Sequence, residues 1–177
     1  MSSDLTPAVV AFGANLGDRA ATIQAAADKL AATEGVELVK LAPPIETPAL
    51  RPSGVDREAP AYLNTVALIR TSLGPSELHA VLRALEDAHG RVRTRRWGDR
   101  TLDLDLIVYG DLVQDDPELT LPHPRAHERA FVLRPWLTAD PHAEIPGRGR
   151  ADALLAELGT PSSVAGSDEG GAGGDAT

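Results

Sequence analysis

The stretch RTLDLDLIVY, residues 100–109, decides the fold prediction because apolar and charged residues alternate along it. Leucines recur at every second position, with Asp103 and Asp105 between them. This two-residue period is typical of a strand with one apolar face. Side chains two residues apart on a strand point the same way, so we expect the two carboxylates roughly 6–7 Å apart on one face.

The acid pair conflicts with local preference, because Asp is depleted in strands. A shared divalent cation would remove the conflict, since Mg²⁺ is commonly held by one or two carboxylates together with substrate phosphates. The alternative is an exposed strand face that carries two acids and binds nothing. Both interpretations stay open on the alternation alone, although places where local rules fail are often functional.

Just before the acid pair the chain is rich in arginine, at Arg91, Arg93, Arg95, Arg96 and Arg100. Guanidinium groups match phosphate oxygens in shape and charge, so two acids beside many arginines suit a metal–polyphosphate complex. A basic surface loop that neutralises nearby acids is the alternative.

With its flanks, the segment RWGDRTLDLDLI (residues 96–107) resembles the signature of the 6-hydroxymethyl-7,8-dihydropterin pyrophosphokinase (2-amino-4-hydroxy-6-hydroxymethyldihydropteridine diphosphokinase) family, enzymes of folate biosynthesis. Shorter pieces continue the resemblance in the family's order and spacing: GANLGD (13–18), TP (47–48), YLN (62–64), GRVR (90–93), LPH (121–123) and RAFVLRP (129–135). Together they cover roughly residues 8 to 158.

The resemblance implies transfer of pyrophosphate from ATP to 6-hydroxymethyl-7,8-dihydropterin, giving AMP and the dihydropterin pyrophosphate. ATP would be the co-substrate of this diphosphokinase, and two Mg²⁺ ions would be held by Asp103 and Asp105. The catalytic residues it implies are Arg91, Arg93, Arg100, Asp103 and Asp105. The ATP-binding residues would be Glu86, Arg91, Arg93, Trp97, Leu106, Thr120, His123 and Arg129. The pterin-binding residues would be Thr47, Pro48, Leu50, Tyr62, Asn64 and Phe131.

Several of these residues are weak signals by themselves. Tyr62 and Asn64 share one face of a predicted strand, where a ring and an amide could stack on a flat heterocycle and bind its edge. A tyrosine at a strand end more often packs, and a lone loop histidine such as His123 is usually a surface residue. Glu86 falls on the polar face of its helix, so periodicity alone makes it a solvated side chain.

Elsewhere the periodicity predicts helices and strands in the order strand–helix–strand–strand–helix–strand. Strands are expected at 8–13, 36–41, 62–69 and within 100–109, helices at 19–33 and 75–90, and short helices near 125–137 and 151–158, where Leu154, Leu155 and Leu158 would pack inward. The order fits a ferredoxin-like α+β sandwich, an antiparallel sheet with helices on one face. The proline-rich stretch 42–60 and residues 91–99 would form long functional loops.

Composition sets broad limits on the protein. At 177 residues and 42% apolar content the chain suits one pyrophosphokinase domain, residues 1–159, followed by a disordered acidic Gly/Ser/Ala tail, residues 160–177. It has no cysteine, which fits a cytoplasmic location, and a net charge of −9, which disfavours nucleic-acid binding. No apolar run reaches the length of a membrane span. We expect a monomer that binds small-molecule substrates.

Departures from the family pattern occur at Asp99, where proline is more usual, and at Pro124, where an aromatic is more usual. The arginine loop is also one residue shorter than in some relatives, which leaves Arg95 and Arg96 out of the predicted site. Two other functions remain open: a nucleotidyl transferase or cyclase that acts on the α-phosphorus of a nucleotide, and a regulatory module in which the acid pair is structural.

Overall fold

The computed structural model describes residues 4–15, 17–47, 49–51, 54–56, 61–90 and 102–159, with the backbone alone for 49–51, 54–56 and 90. The strands are β1 (Thr6–Ala14), β2 (Val36–Leu41), β3 (Ile45–Thr47), β4 (Ala49–Arg51), β5 (Gly54–Asp56), β6 (Tyr62–Thr71), β7 (Asp103–Tyr109), β8 (Glu144–Ile145) and β9 (Gly149–Arg150). The helices are α1 (Arg19–Ala31), α2 (Pro75–Gly90), α3 (Ala130–Ala139) and α4 (Ala151–Gly159), with a 3₁₀ turn at Ala126–Glu128.

The central sheet has the strand order β2-β6-β1-β7 with every neighbouring pair antiparallel, and β3 adds to the start of β6. Because β6 lies between β1 and β2, the β1-α1-β2 unit is split, which is the ferredoxin-like arrangement. The predicted α+β fold with an antiparallel sheet is therefore confirmed.

One face of the sheet is covered by α1 and α2. Phe12 and Leu104 point into this layer and pack with helix residues such as Ile23 and Leu82. The Oδ1 atom of Asp18 accepts a hydrogen bond of 3.1 Å from the backbone N–H of Ala21, so Asp18 caps α1 as the sequence predicts.

The other face is covered by α3, with α4 packed against α3, although the sequence analysis expected helices on one face. Val9 and Val66 pack against Leu133 and Trp136 of α3 there. The signal for this second layer is the continuous apolar run at the start of β1, because a strand buried on both faces loses its alternation. Leu154 and Leu155 of α4 are partly buried, but Leu158 is 42% exposed, so its predicted inward packing is wrong.

The stretch expected to be irregular, residues 42–60, contains β3 and the paired strands β4 and β5. Prolines on either side mask the short strand signals. Helix α1 ends two residues earlier than predicted, and α3 occupies 130–139 rather than 125–137. The predicted loop 91–99 and the predicted tail, 160–177, lie outside the described residues. Within the described part of the chain, no helix is long and apolar enough to cross a membrane.

Candidate active site

A cavity of about 480 Å³ opens over the sheet on the α3 face, beyond the region that α3 covers. It lies where β1 ends and where β6 and β7 begin, since Gly13 of β1 is paired with Asn64 of β6 on one side and with Asp103 of β7 on the other. Eight of the predicted site residues line it: Thr47, Tyr62, Asn64, Glu86, Asp103, Asp105, Arg129 and Phe131.

The middle of the cavity floor is Gly13. A Cβ at this position would lie 3.1 Å from Oδ1 of Asn64, which is tighter than ordinary contacts allow. Glycine therefore leaves the space between the amide on β6 and the carboxylate on β7 open. The GANLGD motif placed Gly13 within the resemblance but gave it no role in the site.

Asp103 and Asp105 both line the cavity, as the strand alternation predicts, while Leu104 between them points into the α1–α2 core. A guanidinium Nη1 of Arg129 lies 3.6 Å from Oδ2 of Asp105, and both side chains are partly exposed. The acid pair therefore meets a cation that comes from a distant part of the chain.

Glu86 is buried, with 6% of its surface exposed, so the expectation of a solvated side chain on periodicity alone is wrong. Its Oε1 accepts hydrogen bonds from the backbone N–H of Leu104 at 3.3 Å and from Arg83 Nη1 at 3.1 Å. Burial raises the pKa of the Glu86 carboxyl, and the nearby Arg83 charge opposes the rise. This carboxyl links α2 to the strand that carries the acid pair.

His123 is not among the residues that line the cavity, but the charges of Asp105 and Arg129 both act on it. Its backbone N–H donates to the carbonyl oxygen of Ile107 at 2.8 Å, and its Nδ1 accepts from the backbone N–H of Arg125 at 3.2 Å. Burial lowers the pKa of His123, against the opposing effect of Asp105. Because Nδ1 accepts, the neutral form of the ring carries its proton on Nε2.

An aromatic pair occupies the other half of the cavity. Tyr62 at the start of β6 and Phe131 in the first turn of α3 both line it, and the Arg129 guanidinium lies 5.6 Å from the centre of the Phe131 ring. Beside them, Nδ2 of Asn64 donates to Oγ1 of Thr47 at 2.6 Å.

Other predicted site residues lie elsewhere or outside the description. The Leu106 side chain packs in the α1–α2 core, and the Thr120 hydroxyl donates to the backbone oxygen of Asp116. Only the backbone of Leu50 is described, and its role stays a prediction. Beyond the described residues lie Pro48, Arg91, Arg93, Trp97 and Arg100, together with Arg95, Arg96 and the departure at Asp99.

Arg83 lines the cavity and was missed by the sequence analysis. Its signal was its spacing, three residues before Glu86 on the same helix, which brings the two side chains together. An aromatic-lined cavity that also holds an acid pair and cationic side chains, on an α+β sandwich, is typical of the enzymes that transfer phosphate groups.

The chain belongs to the 7,8-dihydro-6-hydroxymethylpterin-pyrophosphokinase (HPPK) family, whose model matches residues 9–141. It is 42% identical over 169 residues to a 2-amino-4-hydroxy-6-hydroxymethyldihydropteridine pyrophosphokinase of Mycobacterium leprae, covering 87% of this chain and 84% of that protein. The protein of the same name from Methylorubrum extorquens is 39% identical over 150 residues, 85% of this chain and 92% of the relative.

Solved structures of HPPK-DHPS chains are also similar. One matches with a TM-score of 0.62 at 11% identity over 86% of this chain, and one from Plasmodium falciparum with 0.64 at 12% identity over 88%. The chain spans 43% and 46% of those longer proteins, so this likeness concerns the fold of one part of them.

Proposed function

We propose that the chain transfers the terminal pyrophosphate of ATP to the hydroxymethyl oxygen of 6-hydroxymethyl-7,8-dihydropterin and releases AMP. It is a pyrophosphokinase, a transferase of folate biosynthesis. The observation that carries the proposal is the flanking of Gly13 by Asn64 and Asp103. Asn64, in the proposed ring-binding half, and Asp103, in the proposed phosphate-binding half, are separated by two strand spacings, roughly 10 Å.

The pterin half would be built from the aromatic pair and the amide. Tyr62 and Phe131 present rings to the same cavity, so a flat pterin could stack against them. Because the Nδ2 group of Asn64 already donates to Thr47, the amide oxygen beside Gly13 would accept a hydrogen bond from an N–H of the pterin. The proposed pterin set also keeps Pro48 and Leu50.

The phosphate half would hold the triphosphate through cations and one neutral donor. Arg129 lies beside the acid pair, and the Nε2–H group of His123 would donate to a phosphate oxygen. The proposed phosphate-binding arginines also include Arg91, Arg93 and Arg100. Glu86 would act on ATP binding by fixing Arg83 and the start of β7.

Mg²⁺ fits the donor set of this cavity. Asp103 and Asp105 are hard oxygen ligands on one face of a strand, and among the described residues no third carboxylate or imidazole joins them in a cluster. Substrate phosphates would complete the coordination, which is how Mg²⁺ is usually held beside nucleotides. We propose two ions, which when bound would neutralise charge on the triphosphate.

Positioning is the main contribution of the protein to this reaction. The hydroxymethyl oxygen would form a bond to the β-phosphorus and release its proton to solvent water, while the bond from that phosphorus to the AMP oxygen breaks and AMP leaves. Stacking on Tyr62 and Phe131 would fix the pterin, and Arg129 would hold the pyrophosphate group in line. A monomer in the cytoplasm, with its domain ending near residue 159, stays a prediction.

Product analysis tests the proposal. The protein is incubated with Mg-ATP and the dihydropterin, and the nucleotide products are separated by chromatography. AMP together with a pyrophosphorylated pterin is the expected result. Release of free pyrophosphate would instead indicate nucleotidyl transfer, and absence of turnover with intact ligand binding would indicate a regulatory module.

A further inference from the structure

The side chain of Arg19 connects three elements next to the proposed pterin pocket. Arg19 is the first residue of α1, and its Nη1 donates to the carbonyl oxygen of Ala61 at 2.6 Å while its Nη2 donates to Oε1 of Glu46 at 2.6 Å. One guanidinium thus holds β3 through a side chain and the chain just before β6 through the backbone.

Both partners adjoin residues that line the cavity. Glu46 precedes Thr47 in β3, and Ala61 precedes Tyr62 at the start of β6. Strand β3 has three residues and is paired with β6. A three-residue strand makes few hydrogen bonds with its neighbour. The two hydrogen bonds from Arg19 therefore contribute a large part of what fixes β3 against β6.

Arg19 acts from the face of the sheet opposite the cavity. Glu46 is paired with Leu63, which packs against the α1–α2 core, whereas Thr47 and Asn64 face the cavity. Successive strand residues point to opposite faces of the sheet. The Arg19 guanidinium therefore contacts the strands on the α1–α2 face, whereas the ligand would lie on the cavity face.

We propose that Arg19 is a positioning residue that sets the pterin-binding geometry of Thr47 and Tyr62, an inference that rests on the proposed function. Glu46 is 63% exposed, so the ion pair itself contributes little. The bond to the partly buried carbonyl of Ala61 is the stronger constraint. The pocket is thereby pre-organised, which lowers the ordering cost of binding.

The test compares the variants Arg19→Met, Arg19→Lys and Glu46→Gln. Dissociation constants for the dihydropterin, in the presence of a non-hydrolysable ATP analogue, and for that analogue alone are measured by titration calorimetry, with melting temperatures alongside. Arg150→Met is the matched control, because it removes the exposed Arg150–Asp152 pair at 2.9 Å, whose members do not line the cavity.

Arg19→Met is expected to weaken pterin binding about tenfold and to leave binding of the ATP analogue within about twofold of wild type. Arg19→Lys and Glu46→Gln, which each keep part of the contact, are expected to weaken pterin binding by about two- to fourfold. Arg150→Met should match the wild type in both constants.

Wild-type pterin affinity in Arg19→Met would overturn the inference, as would equal losses for pterin and ATP analogue, which indicate a general structural role. If Arg19→Met does not fold, the same decision rests on Glu46→Gln, whose pterin-specific loss supports the inference and whose wild-type behaviour overturns it. Failure of the wild-type protein to bind the pterin overturns the proposed function itself, a result visible before any variant is compared.

Discussion

The two faces of β7 show how one strand serves the core and the site at once. Leu104 is 2% exposed beneath α1 and α2, whereas Asp103 and Asp105, one residue to either side, line the cavity. Helices α1 and α2 cover their face of the sheet, but α3 leaves part of the other face open. The cavity lies over the part of the sheet that α3 does not cover.

Helix α3 belongs to both regions. Its Leu133 and Trp136 side chains complete the core on the second face, while Phe131 in its first turn and Arg129 at its N-cap reach the cavity. A helix held firmly by its apolar stripe can present residues from its end with little mobility, which suits ligand positioning.

The largest expected effect is on the cavity face of β7. Asp105→Ala, and separately Asp103→Ala, should lower kcat/KM by about a thousandfold, roughly 4 kcal/mol of barrier, with circular dichroism and melting temperature close to wild type. Asp111→Ala is the control, since this exposed acid follows the other end of β7. More than a tenth of the wild-type rate in either variant would exclude a metal role for that residue.

Leu104→Ala should destabilise the core on the other face of the same strand. Removing a side chain that is 2% exposed is expected to lower the free energy of unfolding by about 2–5 kcal/mol, measured by denaturant titration. The activity per folded molecule should remain within a few-fold of wild type, because the Leu104 side chain does not line the cavity. A large loss of activity at unchanged stability would contradict the division of the two faces.

The contrast also explains what the sequence could predict. The order of the predicted strands and helices gave the fold class, and the alternation in β7 gave the acid pair, because both are local patterns along the chain. Neither pattern could place Glu86, whose helical position is polar by periodicity but whose carboxyl is buried in the fold, where it accepts from the Leu104 N–H and from Arg83. The same holds for Arg19, whose partners Glu46 and Ala61 are distant in the chain.

Phe131→Ala tests whether Phe131 belongs to the cavity or to the hydrophobic core. Phe131 is partly buried and lines the cavity, so its loss is expected to weaken dihydropterin binding about tenfold, through lost stacking and contact area. Binding of an ATP analogue should hold, and the melting temperature should fall far less than in Leu104→Ala. Leu137→Ala, a partly buried change on the same helix, is the control for packing alone. Normal pterin affinity in a strongly destabilised Phe131→Ala protein would assign Phe131 to the core.

The smallest expected effect concerns Glu86, which lines the cavity from α2 and also binds the backbone N–H of Leu104. Its pKa in the fold is raised above the ordinary value of 4.5, mainly by burial, so ionisation is less favourable in the folded chain than in the unfolded one. Below pH 4.5 the carboxyl is protonated in both states, and as the pH rises through the folded pKa this contribution to stability is lost.

Glu86→Gln keeps an acceptor for the Leu104 N–H and cannot ionise. Its free energy of unfolding relative to wild type should therefore rise between pH 4 and pH 8, in chelator and without nucleotide, while Glu37→Gln on the exposed side of β2 gives the background. A relative stability that falls with pH would mean that the Arg83 pair outweighs the burial of Glu86.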